Sequence, residues 1–564
     1  MKASIDVNPA DIALPSDSED EFESPVRRSQ RGRKPPAYYE DYEMMMALSM
    51  GVALSSEEVP KCYAEARKYE GWRTAVKTEL DSLERNGTWE IVPAPSPDVP
   101  VIDTRWVFTK KSVDGRTVEK ARLVARGYQQ PALDDENVYS PVARMATLRM
   151  LLALAVEKDL HYAQLDAKNA FLKSRAQETI YLKPPDGLEK VRPGYVCKLI
   201  KSLYGLRSSP KNFNDFVNEK LISMGLVRSK ADPCFYFDNS RKIYILVWVD
   251  DFLVVSEKKT DLKNVKKSLI QSLEMKDLTG SKNLTFLGMD IKRVGSQIHI
   301  SQKSLIDKII QHFNMTDCKI ASVPVEPGLN LLKADISESN LPYRELLGSI
   351  MYLMLASRPE LCFAVSYFGR FQNNYDSTHF KALKQVVRYL KGTRDHVLVF
   401  SKTNSDLKLT AYADADHGSD IIDRISVSGY ALMLNSCLIV WSSKKQGAVA
   451  IASSEAEYYS LSACMMECLF IGRILGEILI DVFPVQIYED NQSCIKMSKT
   501  AETKRSKHID IRHHFIKDLI SKKKFIVTYI PTDSQVADIF TKGLSRVKFE
   551  VFRKILGVNE MNKL

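Results

Sequence analysis

Asp250 and Asp251 stand side by side between two apolar, β-branched runs, Ile243 to Val249 and Phe252 to Val255. Runs of this composition predict buried strands. Two adjacent carboxylates between such strands are costly to bury unless something pairs with them. A divalent metal is the natural partner, and a strand–turn–strand tip would present both carboxylates to it. A third acid, Asp166, closes the segment Leu160 to Leu165. A strand-end Asp there and a hairpin-tip pair at 250 and 251 would meet on one sheet. Three carboxylates so placed would hold two Mg²⁺ ions for phosphoryl transfer.

The elements that must position these acids are readable in outline. At 564 residues the chain is too long for one core, so about three domains are expected. Hydrophobic content of 45% and charged content of 27% fit a globular protein. The net charge of +10 favours a polyanionic partner, though much of it is ordinary solvated surface. The nine cysteines are scattered with no C-x-x-C, which argues against a disulfide frame or a zinc knuckle. No secretory signal is visible, and no stretch of about 18 uninterrupted apolar residues predicts a membrane span.

Residues 1 to 58 read as a disordered leader: acidic at first (Asp6, Asp11, Asp17, Glu19, Asp20, Glu21, Glu23), then basic (Arg27, Arg28, Arg31, Arg33, Lys34). Trp72, Val76, Leu80 and Leu83 predict one helix face, closed by Asn86-Gly87. Strands and helices then mix up to about 300, and helices predominate to about 400. There Phe380, Leu383, Val387 and Leu390 form a stripe on a helix that also carries Lys381, Lys384, Arg388 and Lys391. Those bases suit either a phosphate track or a solvated face. A new α/β pattern begins near Leu407, with a long helix from Glu455 to Gly476.

Several motifs in register carry a resemblance. They are Lys120-Ala121-Arg122-Leu123-Val124-Ala125-Arg126-Gly127, Tyr139-Ser140-Pro141-Val142-Ala143, Asp166 to Leu172, Leu203-Tyr204-Gly205-Leu206-Arg207-Ser208-Ser209-Pro210 and Trp248-Val249-Asp250-Asp251. Together they resemble the reverse transcriptase of copia-type LTR retrotransposon Pol polyproteins. Phe286 to Ile291 resembles that family's primer-grip region. The resemblance implies that Asp166, Asp250 and Asp251 are catalytic metal ligands, with Asp251 in support. It implies that Lys120 and Arg122 hold the incoming triphosphate. Phe171 would lie against the sugar and exclude a 2′-hydroxyl, or else be simple core. Gly205 would shape the floor under template and nucleotide, or else begin a helix. Trp248, Ser208, Phe213, His417 and Ser174 depart from the family's usual residues without removing a ligand.

The last domain offers a second series: Asp414, Glu457, Asp490 and Asp538, in the order strand-end Asp, helix Glu, strand-end Asp, helix Asp. RNase H folds use this order, and four such acids would bind two Mg²⁺ and activate water against an RNA phosphodiester. Trp441 to Gln446 and Lys507 to Phe515 also resemble the copia-type RNase H. His508 and His514 there suit a structural or hybrid-contacting role, and Lys496, Lys499, Lys504, Arg505, Lys507 and Arg512 suit a grip on the hybrid backbone.

The expected fold class is a multidomain α+β and α/β chain. A right-hand polymerase with fingers and palm (59–300) and a helical thumb and connection (301–404) precedes an RNase H-like domain (405–545) and a C-terminal tail (546–564). The implied activity is RNA-directed DNA polymerisation with RNase H cleavage, using two Mg²⁺ per site or Mn²⁺ in their place. Implied partners are an RNA template, a DNA primer, an RNA–DNA hybrid and dNTPs, with no membrane; a homodimer or association with the element's Gag and integrase is compatible. The implied location is a cytoplasmic virus-like particle, or the nucleus. The chain is expected to be the C-terminal part of a Pol polyprotein. The alternative is a catalytically inactive or co-opted nucleic-acid-binding remnant of such a Pol.

Overall fold

The computed structural model describes residues 59–113, 116–131, 138–189, 191–279, 283–335, 338, 340–499 and 510–561. The expected leader, His508 and the bases Lys504, Arg505 and Lys507 lie outside the described residues. Helix α1 (Glu70–Arg85) buries Trp72, Val76 and Leu83 as its spacing requires, and Gly87 follows it at φ +59°. It packs on a long hairpin, β1 (Thr104–Val113) and β2 (Arg116–Ala125), over a core that includes Trp106, Phe108 and Leu123. A small four-stranded sheet (Trp89–Pro93, Tyr195–Leu199, Tyr181–Leu182, Val101–Ile102) completes this fingers region.

Helix α2 (Met145–Glu157) is buried along its whole length. A helix apolar on every side belongs inside a large core. It leads into the palm sheet: β3 (His161–Ala167), then helix α3 (Ser209–Ser223), β4 (Val227–Arg228), β5 (Phe235–Asp238), β6 (Ile243–Trp248) and β7 (Asp251–Ser256), then helix α4 (Lys259–Leu273) and β8 (Met275–Asp277). The spatial order is β8-β3-β7-β6-β5-β4. Alternation along the strands splits the side chains between two faces. Leu165, Ile245, Val247, Phe252 and Val254 meet Val217, Leu221, Val265 and Leu269 of α3 and α4. Leu246, Trp248, Leu253 and Val255 join the larger core on the other face.

The region expected to be a helical thumb and connection contains a sheet as well. β9 (Asn283–Phe286), β10 (Met289–Val294) and β11 (Gln297–Ser301) precede helices α5 (Lys303–His312), α6 (Tyr343–Ala356), α7 (Cys362–Gly369) and α8 (Ser377–Gly392). β12 (His396–Ser401) then pairs with β11, so the expected boundary at 300 falls inside one sheet. On α8 the predicted stripe is buried, whereas Lys391 donates to the Cys318 carbonyl at 2.7 Å and Lys384 covers the Phe380 ring.

The last domain is β13 (Leu409–Asp416), β14 (Val427–Leu434), β15 (Cys437–Lys445), α9 (Ser453–Glu477), β16 (Val485–Glu489), α10 (Gln492–Lys499), α11 (Asp510–Ser521) and β17 (Phe525–Tyr529). Its strand order is β15-β14-β13-β16-β17, with β16 and β17 parallel to β13. α9 is long and apolar enough by composition to cross a membrane, but its buried residues, Tyr458, Leu461, Met465 and Ile471 among them, lie in the core beside this sheet. The expected C-terminal tail contains two packed elements among its described residues. Helix α12 (Arg546–Ile555) buries Phe549 and Phe552, and β18 (Val558–Glu560) pairs with β12 as the edge of the preceding sheet. One continuous core joins α2, this sheet and the last domain.

Candidate active sites

β6 and β7 are joined by a two-residue turn, Val249–Asp250. Val249 sits in the left-handed region at φ +54°. That conformation is costly for a β-branched residue and is the kind of strain that functional sites retain. The turn places Asp250 at the tip, where its carbonyl accepts the Ala167 N–H at 2.8 Å. Asp166 is directly opposite Asp251 in the β3–β7 ladder. Such pairs share a face about 5 Å apart, and like charges there repel unless a cation lies between them. Asp251 is restrained further: Gln164 Nε2 donates to its Oδ1 at 3.1 Å and to the Thr285 carbonyl at 2.9 Å. Gln164 therefore ties Asp251 to the β9–β10 hairpin, which contains Phe286 to Ile291, and Tyr352 Oη donates to the Leu287 carbonyl at its tip. Trp248 is buried in the core beside the turn.

Lys120 and Arg122 are two residues apart on β2 and so share a face. Glu79 of α1 lies by both, and its carboxylate accepts the Leu123 N–H at 3.4 Å. Burial lifts the Glu79 carboxyl above its ordinary value against the pull of these two cations. The Arg122 guanidinium lies 5.1 Å from the Tyr204 ring centre. Phe171 is buried in the palm core, edge-on to Tyr204 at 4.7 Å and to Phe213 at 6.0 Å.

Gly205 has φ +91°, and a Cβ there would stand 2.2 Å from the Ala125 carbonyl oxygen. A Cβ on Gly127 would stand 2.1 Å from the Gly205 carbonyl oxygen. The two glycines let the 203–210 loop lie flat on the end of β2. Gly205→Ala is therefore expected to destabilise the protein by about 3 kcal/mol or more, from backbone strain plus steric clash. A thermal melt of the two proteins checks this, and equal midpoints would overturn the close-approach argument.

The second set of acids is tighter. Among the described residues, the three that bring carboxylate oxygens within 4.8 Å of one another are Asp414, Glu457 and Asp490. Asp166, Asp250 and Asp251 do not close to that spacing as a trio. Asp414 is near the end of β13, Glu457 is in the second turn of α9, and Asp490 follows β16. Thr541 Oγ1 donates to Asp414 Oδ2 at 2.5 Å, and Thr532 Oγ1 donates to Asp490 Oδ2 at 2.6 Å. Glu457 Oε2 is buried without a hydrogen-bond partner, as an oxygen that would ligate a cation. Burial and the neighbouring Asp538 push Asp414 up to about 7, and burial with Glu489 raises Glu457 as well. Asp538 is fully buried beside Asp414 but is held by two ammonium groups, Lys542 Nζ at 2.6 Å and Lys548 Nζ at 2.7 Å. It lies outside the trio.

Sequence reasoning missed four contributors here and in the palm. Glu489 is fully buried next to Glu457 and Asp490, and the alternation Val485, Ile487, Glu489 on the inward face of β16 was the available signal. Lys542 had its spacing, four residues after Asp538, as the available signal, whereas Lys548 had none, because only the approach of α12 brings it to Asp538. Gln164 looked like one more strand residue. Lys496 belongs to α10, Arg512 covers the Tyr459 ring at 3.9 Å, and His514 is exposed on α11.

A fingers hairpin, a palm sheet with an Asp-Asp turn and an RNase H-like sheet with clustered carboxylates define a polymerase of the right-hand class with an attached RNase H-like domain. Residues 86–327 match the family described as reverse transcriptase (RNA-dependent DNA polymerase). The chain is 36% identical, over 91% of its length, to the retrovirus-related Pol polyprotein from transposon RE1 of Arabidopsis thaliana, of which it covers 35%. It is 32% identical, over 54% of its length, to the whole of the transposon Ty5-1 protein YCL074W of Saccharomyces cerevisiae. The chain belongs to the reverse transcriptase family of copia-like retrotransposon Pol polyproteins. It spans about a third of the length of the Arabidopsis relative. A foamy viral protease-reverse transcriptase solved in complex with double-stranded DNA aligns at a TM-score of 0.46 and 13% identity, over 82% of this chain and 70% of that one.

Proposed function

We propose that the chain copies RNA into DNA at the palm and cleaves the RNA strand of the resulting hybrid in its last domain. The observation that carries this reading is the placement of Asp250 at a strained two-residue turn, beside the ladder pair of Asp166 and Asp251. Asp166 and Asp250 are the residues that would hold Mg²⁺ in the palm, with Asp251 in support. Asp414, Glu457 and Asp490 would hold it in the last domain, and Asp538 would join them only on leaving Lys542 and Lys548. Divalent cations, Mg²⁺ or Mn²⁺, would supply charge neutralisation and lower the pKa of the attacking hydroxyl or water.

The chain's own residues do the rest. Lys120 and Arg122 bind the triphosphate, and Gly205 keeps the floor of the nucleotide pocket low. Phe171, packed against Tyr204, would exclude a 2′-hydroxyl, so that the pocket would take a dNTP. Primer, template and hybrid are the macromolecular partners, favoured by the net charge of +10.

The test is extension of oligo(dT) on poly(rA) with Mg²⁺, run in parallel with cleavage of a labelled RNA–DNA hybrid. Incorporation of dTTP with release of short RNA products is expected. Hybrid binding with neither reaction would replace this reading with that of a non-catalytic binding remnant.

A further inference from the structure

We infer that Tyr204 is a positioning residue that couples the triphosphate grip to the ring facing the sugar, a role that rests on the polymerase reading above. One face of the phenol ring lies under the Arg122 guanidinium, 5.1 Å from the ring centre. Phe171 meets the same ring edge-on, at 4.7 Å and an interplanar angle of 73°. Two groups with different duties toward one nucleotide thus rest on a single side chain.

The mount itself is rigid. The Tyr204 carbonyl accepts the Ala125 N–H at 2.7 Å, which ties the loop to the end of the strand carrying Arg122. The next residue, Gly205, closes on the Ala125 carbonyl so tightly that no side chain fits there. Tyr204 therefore cannot shift without β2 moving too. Edge-to-face aromatic pairs and cation–π contacts have preferred geometries, so together they set both the angle of Phe171 and the reach of Arg122.

Phe171 also touches Phe213 edge-on, a residue of α3 packed in the palm core. Tyr204 touches both Arg122 of the fingers hairpin and Phe171 of the palm. Its phenol lies close enough to Asp166 and Asp250 to feel their charge, and burial with these acids pushes it up to about 12 despite Arg122. The ring acts through its shape and its π-face, on which Arg122 and Phe171 rest.

The consequence is a specific kinetic signature. Without the ring, Phe171 is free to turn out of the position that excludes a 2′-hydroxyl, and Arg122 loses its platform. Small displacements of positioning groups are enough for losses of this size. Tyr204→Leu is expected to lower the preference for dTTP over UTP, measured as the ratio of kcat/KM values on poly(rA)/oligo(dT), by roughly tenfold. The KM for dTTP should rise more than kcat falls. Tyr204→Phe keeps the ring and should hold the ratio within about twofold of wild type.

In a Phe171→Ala background, adding Tyr204→Leu should cost little further selectivity, because both act on one gate. An unchanged ratio in Tyr204→Leu, or a fall in kcat alone, would overturn the inference and leave a structural role. If Tyr204→Leu melts below the assay temperature, Tyr204→Met fills the same space without a ring and carries the same expectation and the same disproof. Wild-type protein without incorporation would instead sink the polymerase reading itself, a result distinguishable from an unchanged ratio.

Discussion

Asp250→Asn is expected to lower dNTP incorporation on an RNA template by at least about 10³-fold while leaving hybrid cleavage within about twofold of wild type. Asn is isosteric, and the contact that anchors the turn is made by the Asp250 backbone carbonyl, so the fold should persist. What is lost is a charged ligand at the tip, which is worth several kcal/mol where charge develops in phosphoryl transfer.

Asp251→Asn should behave differently. Asp251 Oδ1 already accepts from Gln164, and Asn keeps an acceptor there. A loss of roughly tenfold is expected, the scale of one weakened hydrogen bond. Initial rates for both variants on poly(rA)/oligo(dT) separate the two roles. Equal losses would show that both acids ligate alike, and an Asp250→Asn rate within tenfold of wild type would remove this turn from the chemistry.

Asp414→Asn is expected to abolish hybrid cleavage, by about 10³-fold, and at the same time to stabilise the metal-free protein at alkaline pH. The sign follows from linkage. Burial and Asp538 raise Asp414 from its ordinary 3.8 to about 7, so between those values the folded state holds a proton that the unfolded chain has released. The associated stability is complete below about pH 4 and disappears as pH rises through about 7. Metal-free wild type should therefore lose stability between pH 5 and pH 8, and Asp414→Asn should reduce that loss by on the order of 2 kcal/mol.

Mg²⁺ competes with protons for the same oxygens. It should raise the wild-type melting temperature at pH 8 more than at pH 5, and do less for the variant. Melts at two pH values with and without Mg²⁺ measure this. Identical pH profiles in both proteins would mean that the buried acids are already neutralised, by Lys542 and Lys548.

The two sites differ in how far each was legible. In the palm, an apolar run broken by two carboxylates could hardly fold otherwise than as a hairpin, and the register then set Asp166 against Asp251. In the last domain, the strand and helix positions of Asp414, Glu457 and Asp490 were readable because each closes or opens a clear periodic run. Asp538 was readable as an acid but not as an ion-paired one. One of its two lysine partners, Lys548, comes from a helix in the segment expected to be a tail, whose strand completes a sheet begun more than 250 residues earlier.

The sequence by itself determined the acids, the strands that carry them and the family, because these depend on composition and period within a few residues. Only the tertiary structure decided which acids approach within a few ångströms, that Gln164 restrains Asp251, and that Tyr204 lies between Arg122 and Phe171. The reason is physical. Periodicity tells a side chain which face to take, but the packing of separate elements sets the distances across which charge and π-contacts act.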